Sequence, residues 1–156
     1  MPATIRLATQ ADIPYLHHHW NESGWVISLS DAAKQLERTD FFQYMIELDS
    51  KVIGDIHYGN LENNGAEIGV YIRNTIERGK GYGTQAIMLM IDLLFAHCGY
   101  NEIVLNTSTD NYRMRYIAEE KLKLTPILHE NILQEQGGTY EDYIEYRLKN
   151  PMGGNK

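Results

Sequence analysis

The chain has a single cysteine, Cys98, in 156 residues, so no disulfide framework is open to it and a reducing cytoplasm is the expected compartment. It also lacks a basic surplus. The 14 Lys and Arg face 21 Asp and Glu, a formal net charge of -7, which argues against broad contact with nucleic acid or an anionic membrane. The same charge mildly favours a cationic partner, although solubility alone would also account for it. Long apolar runs are missing too: nothing reaches the length of a membrane span, and Met1 to Pro14 holds no apolar core of secretory-leader length. What is present is 43% hydrophobic residues, enough to bury a core in one domain. Residues 1–150 are expected to form that domain, with 151–156 as a polar tail.

Periodicity sets the order of elements. Thr4 to Ala8 alternates like a short strand, and Thr9 is placed to cap a helix beginning near Ala11. After a flexible join, Ser30 to Arg38 suits a second helix with Ala33 and Leu36 inward. Phe41 to Leu48 and Lys51 to Gly59 alternate with period two around Asp49-Ser50, as a hairpin does. Asn64-Gly65 suits a tight turn before a strand over Ala66 to Arg73. Thr84 to Cys98 is apolar almost all round, a helix covered on both sides, with Cys98 expected to be buried and inert. Next come a buried strand over Asn101 to Thr107 and a helix from Asp110 to Leu122 capped by Asp110. A closing hairpin turns at Gly137-Gly138.

The stretch Arg78-Gly79-Lys80-Gly81-Tyr82-Gly83-Thr84 interrupts this pattern just ahead of the apolar helix. It is not a P-loop, because Lys80 is followed by Gly81 instead of Ser or Thr. Gly81 to Ala86 formally satisfies the dinucleotide pattern G-x-G-x-x-A, but three meander strands precede it where a first strand is required. Two readings stay open. The glycines either make only a sharp strand-to-helix turn, or expose backbone N–H groups at the positive end of the helix as a cradle for a pyrophosphate, with Arg78 and Lys80 adding charge.

The same residues match the R/Q-x-x-G-x-G/A signature, and with the element order they make the chain resemble the GNAT superfamily of N-acetyltransferases over nearly its whole length. The resemblance implies an α/β (α+β) fold with a mixed, mostly antiparallel sheet of six to seven strands, splayed between the fourth and fifth strands and flanked by about four helices. It implies acetyl-CoA (coenzyme A) as donor, its pyrophosphate on the Arg78 to Thr84 backbone. The pantetheine arm would lie at the splay, served by Tyr71, Ile72 and Arg73 on one strand, by Asn106 at the end of the other, and by Asn111 and Arg113 after it. A backbone N–H near Val70 to Ile72 would polarise the thioester carbonyl.

Glu67, on the strand before the signature, resembles the family's glutamate base and shares a strand face with Gly69 and Tyr71. A solvated glutamate bonded to a cross-strand neighbour such as His57 is the plain alternative. The family's acid, a tyrosine, falls here on Ala118. Either Tyr116 substitutes or solvent protonates the thiolate, and two positions along a helix, about 200°, point Tyr116 away from residue 118. Asn106 would bind or orient, and Asn111 would serve either the pantetheine arm or the helix cap. Acceptor residues are expected from Tyr15, Trp20, Trp25, Asp55 and His57. His17 to His19 suggest a metal, but helix neighbours diverge by about 100°, so no metal is expected.

The layout resembles most the branch holding aminoglycoside 6'-N-acetyltransferases and ribosomal-protein N-terminal acetyltransferases. The expected activity is direct transfer of an acetyl group to a primary amine of a small cationic molecule, such as an aminoglycoside or polyamine. A protein N-terminus as acceptor, or a non-catalytic acyl-CoA sensor, are the alternatives. The exposed edges of the late hairpin would also suit a homodimer.

Overall fold

The structure, a computed structural model, describes residues 2–133 and 140–152. Seven strands form one mixed sheet in the order β1-β2-β3-β4-β5-β7-β6. They are β1 Thr4–Leu7, β2 Phe41–Leu48, β3 Lys51–Leu61, β4 Gly65–Ile72, β5 Glu102–Ser108, β6 Ile127–Leu133 and β7 Tyr140–Lys149. The helices are α1 Ile13–Glu22, α2 Leu29–Gln35, α3 Tyr82–Asp92 and α4 Tyr112–Tyr116. β4 and β5 run parallel over Gly65↔Glu102 to Ile68↔Leu105, and both strands continue past that ladder. The β1–β2, β2–β3, β5–β7 and β6–β7 pairs are antiparallel.

The chain divides into two compact units: Met1–Asn60 with Val70–Met90, and Leu61–Gly69 with Ile91–Lys156. In the first, α1 starts with Pro14 in its opening turn and buries Ile13, Leu16 and Trp20, the stripe of an amphipathic helix. These join Ala8, Ala32 and Met45 in one cluster. Asp12 fixes the entry to α1, accepting from Thr9 N at 2.8 Å and from both Arg6 terminal nitrogens at 2.8 and 2.9 Å. In the second unit, Leu94, Ile103, Leu105, Ala118, Ile144 and Tyr146 are almost wholly buried.

Several boundaries differ from those the sequence suggests. The β2–β3 hairpin forms as expected, with Asp49 and Ser50 both at positive φ. The next turn moves one residue, however: Asn63 and Asn64 take the left-handed conformation, at φ 60° and 59°, and Gly65 is already extended. Asparagine tolerates positive φ, so the turn did not need its glycine. α2 is capped by Ser28, whose Oγ accepts from Asp31 N at 3.1 Å, and this turns Ala32 fully inward with Ala33 and Leu36 at the margin. Asn111, not Asp110, caps α4, its Oδ1 accepting from Met114 N at 3.2 Å, while Asp110 accepts from Ser108 Oγ.

Both later helices end in π-turns, Leu93–His97 after α3 and Ile117–Lys121 after α4. In each, the closing bond spans five residues: Cys98 N to Leu93 O at 3.0 Å and Leu122 N to Ile117 O at 2.9 Å. The added residue rotates the chain beyond it, and Cys98 is exposed instead of buried. The expected turn at Gly137-Gly138 lies outside the described residues.

Candidate active site

In the first unit, the glycine segment leads straight into α3. Gly79 and Gly81 adopt φ 78° and 89°, a region that residues with a side chain rarely occupy. A Cβ built on either would meet nothing within 4 Å, so packing does not require glycine there and the space beside the backbone is open. α3 begins at Tyr82, two residues earlier than expected, and its first rung is Gln85 N to Gly81 O at 3.0 Å. The N–H groups of Tyr82, Gly83 and Thr84 therefore precede any helical acceptor, at the positive end of an 11-residue helix. Arg78 Nε donates to the Ile72 carbonyl at 2.8 Å and ties the segment to the end of β4. Lys80 lies 3.5 Å from Glu77, and both Arg78 and Lys80 are exposed. These parts suit an anionic group approaching the main chain: open space, undercommitted amide donors and two cations.

The same unit holds a buried ion pair. Asp55 is fully buried, and its two oxygens accept from Arg73 Nε at 2.8 Å and Nη2 at 3.2 Å. Arg73 Nη1 reaches Ser23 Oγ at 3.1 Å, and its guanidinium covers the Tyr71 ring at 4.2 Å. Burial pushes the Asp55 carboxyl up while Arg73 pulls it back. Asp55 thus presents no solvent-facing oxygen to an acceptor. Arg73 N and Asn74 N both donate to Ile53 O, at 2.9 and 3.0 Å. A Cβ on Gly54 would collide with the Tyr71 carbonyl, so this close approach of β3 to the end of β4 depends on glycine.

His57 stacks on Tyr71 at 6.3 Å and lies 5.0 Å from Phe41, and burial followed by the charge of Arg73 pushes its imidazole down to about 4. Tyr15 is half-buried, and its hydroxyl oxygen is buried with no hydrogen-bond partner among the described residues. Burial, with Asp55 adding, pushes that phenol up to about 12. Trp20 belongs to the core cluster and packs on half-buried Trp25 with ring centroids 4.8 Å apart.

The second unit carries Glu67. It is half-buried on β4, and its Oε2 accepts from Asn106 Nδ2 at 3.0 Å. Its bond is to β5, not to His57. Asn111, ahead of α4, and Arg113, within it, are exposed, the Oδ1 of Asn111 being used for the cap. Ala118 is fully buried, whereas Tyr116 is 55% exposed with Lys121 Nζ 5.6 Å from its ring.

Two features escaped the sequence. The Arg73–Asp55 pair had one signal, an acid on the inward face of an apolar strand, which calls for a cation. The Glu67–Asn106 bond depends on the parallel register of β4 and β5, which no local pattern encodes.

Residues 3–121 match the family model described as the acetyltransferase (GNAT) domain. No curated protein matches the sequence at a significant level. Among solved structures, RimL, a ribosomal-protein alpha-N-acetyltransferase in complex with coenzyme A, is similar at TM-score 0.78 and 19% identity, covering 96% of this chain and 94% of its own. A chimeric spermidine N-acetyltransferase combining Vibrio cholerae SpeG and hSSAT is similar at TM-score 0.78 and 18% identity over 100% of both chains. A putative acetyltransferase from Salmonella typhimurium with its cofactor acetyl-CoA gives TM-score 0.78 at 18% identity, covering 96% and 94%. At such identities the likeness is one of fold.

Proposed function

The chain belongs to the GNAT acetyltransferase family, and on that premise we propose that it transfers an acetyl group from acetyl-CoA directly to a primary amine of a small cationic acceptor. The observation that carries this is the pair of positive-φ glycines, Gly79 and Gly81, opening onto the N-terminus of α3 with nothing within 4 Å of either Cβ position. Bound against that backbone, acetyl-CoA supplies the activated acetyl group. The amides of Tyr82, Gly83 and Thr84 hold its diphosphate, and Arg78 and Lys80 balance the charge. The main chain of Tyr71, Ile72 and Arg73, the Nδ2 end of Asn111, and Arg113 complete the donor site.

Glu67 is the base. Asn106 holds its Oε2, which orients the carboxylate so that Oε1 takes the proton from the acceptor amine. This makes Asn106 a positioning residue. No protein acid is assigned to the thiolate, since Ala118 occupies the family's tyrosine position and Tyr116 faces solvent, so water returns the proton. The acceptor lies against Tyr15, His57 and Trp25. The buried Tyr15 hydroxyl, which has no partner among the described residues, accepts a hydrogen bond from an ammonium or hydroxyl of the acceptor. The net charge of -7 favours a polyamine or aminoglycoside.

The test is release of free thiol from acetyl-CoA across a panel of polyamines, aminoglycosides and peptides with free N-termini. A cationic small molecule should be the best acceptor. Glu67→Gln should lower kcat by about 10²–10⁴-fold, with CoA affinity kept. Preference for the peptides would replace the small acceptor with a protein N-terminus. The absence of a tyrosine at position 118 also favours a second reading, an acyl-CoA sensor, and saturable CoA binding with no turnover on any amine would support it.

A further inference from the structure

At the end of α1, outside the donor site and the base, His18, His19 and Glu22 converge. His18 Nε2 lies 2.9 Å and His19 Nδ1 lies 3.3 Å from the same oxygen, Glu22 Oε1. All three candidate ligand atoms lie within 4.8 Å of one another. Consecutive helix residues diverge by about 100°, which is why the sequence alone spoke against a shared ion. Two features of the structure overcome that divergence. Glu22 is four residues from His18 and three from His19, so it sits between them on the helix surface. The two rings also use different nitrogens, the distal one of His18 and the proximal one of His19, and meet edge to face with centroids 5.0 Å apart.

We propose that His18, His19 and Glu22 form a binding site for a Zn²⁺-like transition-metal ion, with solvent completing the coordination. Ligands about 2.0–2.2 Å from a tetrahedral ion stand about 3.3–3.6 Å apart, so small rotations of these side chains admit the ion. Two imidazoles and a carboxylate suit Zn²⁺, Co²⁺, Ni²⁺ or Cu²⁺, whereas Mg²⁺ and Ca²⁺ call for oxygen alone. The His18 and Glu22 side chains are 68% and 60% exposed, so an ion can reach them, while His19, at 21%, is the anchored ligand. The Tyr15 ring, 4.5 Å from that of His19, fixes its orientation. His17 is committed elsewhere, with its Nε2 at 2.8 Å from Ile27 O and 3.1 Å from Asn21 Nδ2.

Calorimetric titration of the full chain with ZnCl₂ in a non-chelating buffer at pH 7.5 tests the site, with Co²⁺ visible spectra as a second readout. One equivalent should bind. His18→Ala, His19→Ala and Glu22→Gln should each weaken it at least tenfold, with melting in metal-free buffer confirming that each variant is folded. The Co²⁺ bands should lack thiolate charge transfer. No binding at 100 μM Zn²⁺ would overturn the proposal. So would affinity unchanged in the His18→Ala/His19→Ala double variant, or binding lost instead in Cys98→Ser, which would place the ion at the exposed His97-Cys98 pair.

Discussion

Replacing Arg73 by Leu would strip the fully buried Asp55 carboxylate of the two N–H donors that reach it at 2.8 and 3.2 Å. Removing one partner of a buried pair leaves an uncompensated charge and costs about 3–5 kcal/mol. The substitution also removes the guanidinium from the Tyr71 ring, 4.2 Å away, and its bond to Ser23 Oγ. In a chain of 156 residues each kcal/mol moves Tm by about 2–4 °C, so a fall of about 6–20 °C is expected. Replacing both partners by apolar residues, Asp55→Leu with Arg73→Leu, removes charge and countercharge together and should recover much of the loss. Urea and thermal melts of the wild type, both single variants and the double variant measure this cycle. An Arg73→Leu variant within about 1 kcal/mol of wild type, or a double variant whose loss equals the sum of the singles, would refute the reasoning.

Acid should expose His57. Its folded pKa, about 4, lies below the ordinary 6.5, so the unfolded chain binds the proton first and stability is lost as pH falls from 6.5 towards 4. The loss amounts to at most about 3 kcal/mol, and His57→Phe should flatten that part of the stability–pH curve relative to wild type. Cys98, exposed beyond the π-turn, should react with a thiol reagent in the native state at the rate of a small free thiol, and slow labelling that requires unfolding would contradict its placement. Leu94→Ala in the core of the second unit should cost about 2–5 kcal/mol in chemical denaturation.

Much of the fold was legible where one pattern decided the outcome. Phe41 to Leu48 reads as a strand ahead of the Asp49-Ser50 turn, and both the strand and the turn form at those residues. The glycine segment was legible as a change in backbone demand, and positive φ at Gly79 and Gly81 is that demand made concrete. The failures arise where geometry departs from the ideal period. Cys98 was projected inward on 3.6 residues per turn, and the π-turn broke that projection. Asn63 and Asn64 took a turn that Gly65 was expected to share, since either dipeptide suits it. Glu67 could be singled out on its strand, but its bond to Asn106 and the Arg73–Asp55 pair join residues 39 and 18 positions apart, and such partners are set by register and burial.

The donor site is tested most directly by coenzyme A calorimetry on Gly81→Ala. At φ 89° an alanine costs about 1–2 kcal/mol in the backbone, and its Cβ meets no protein atom within 4 Å, so the variant should fold with a modestly lower Tm. If the diphosphate lies against this main chain, coenzyme A affinity should fall at least tenfold. Affinity unchanged from wild type, with only the Tm lowered, would mean that the glycine merely shapes a turn and would contradict the account.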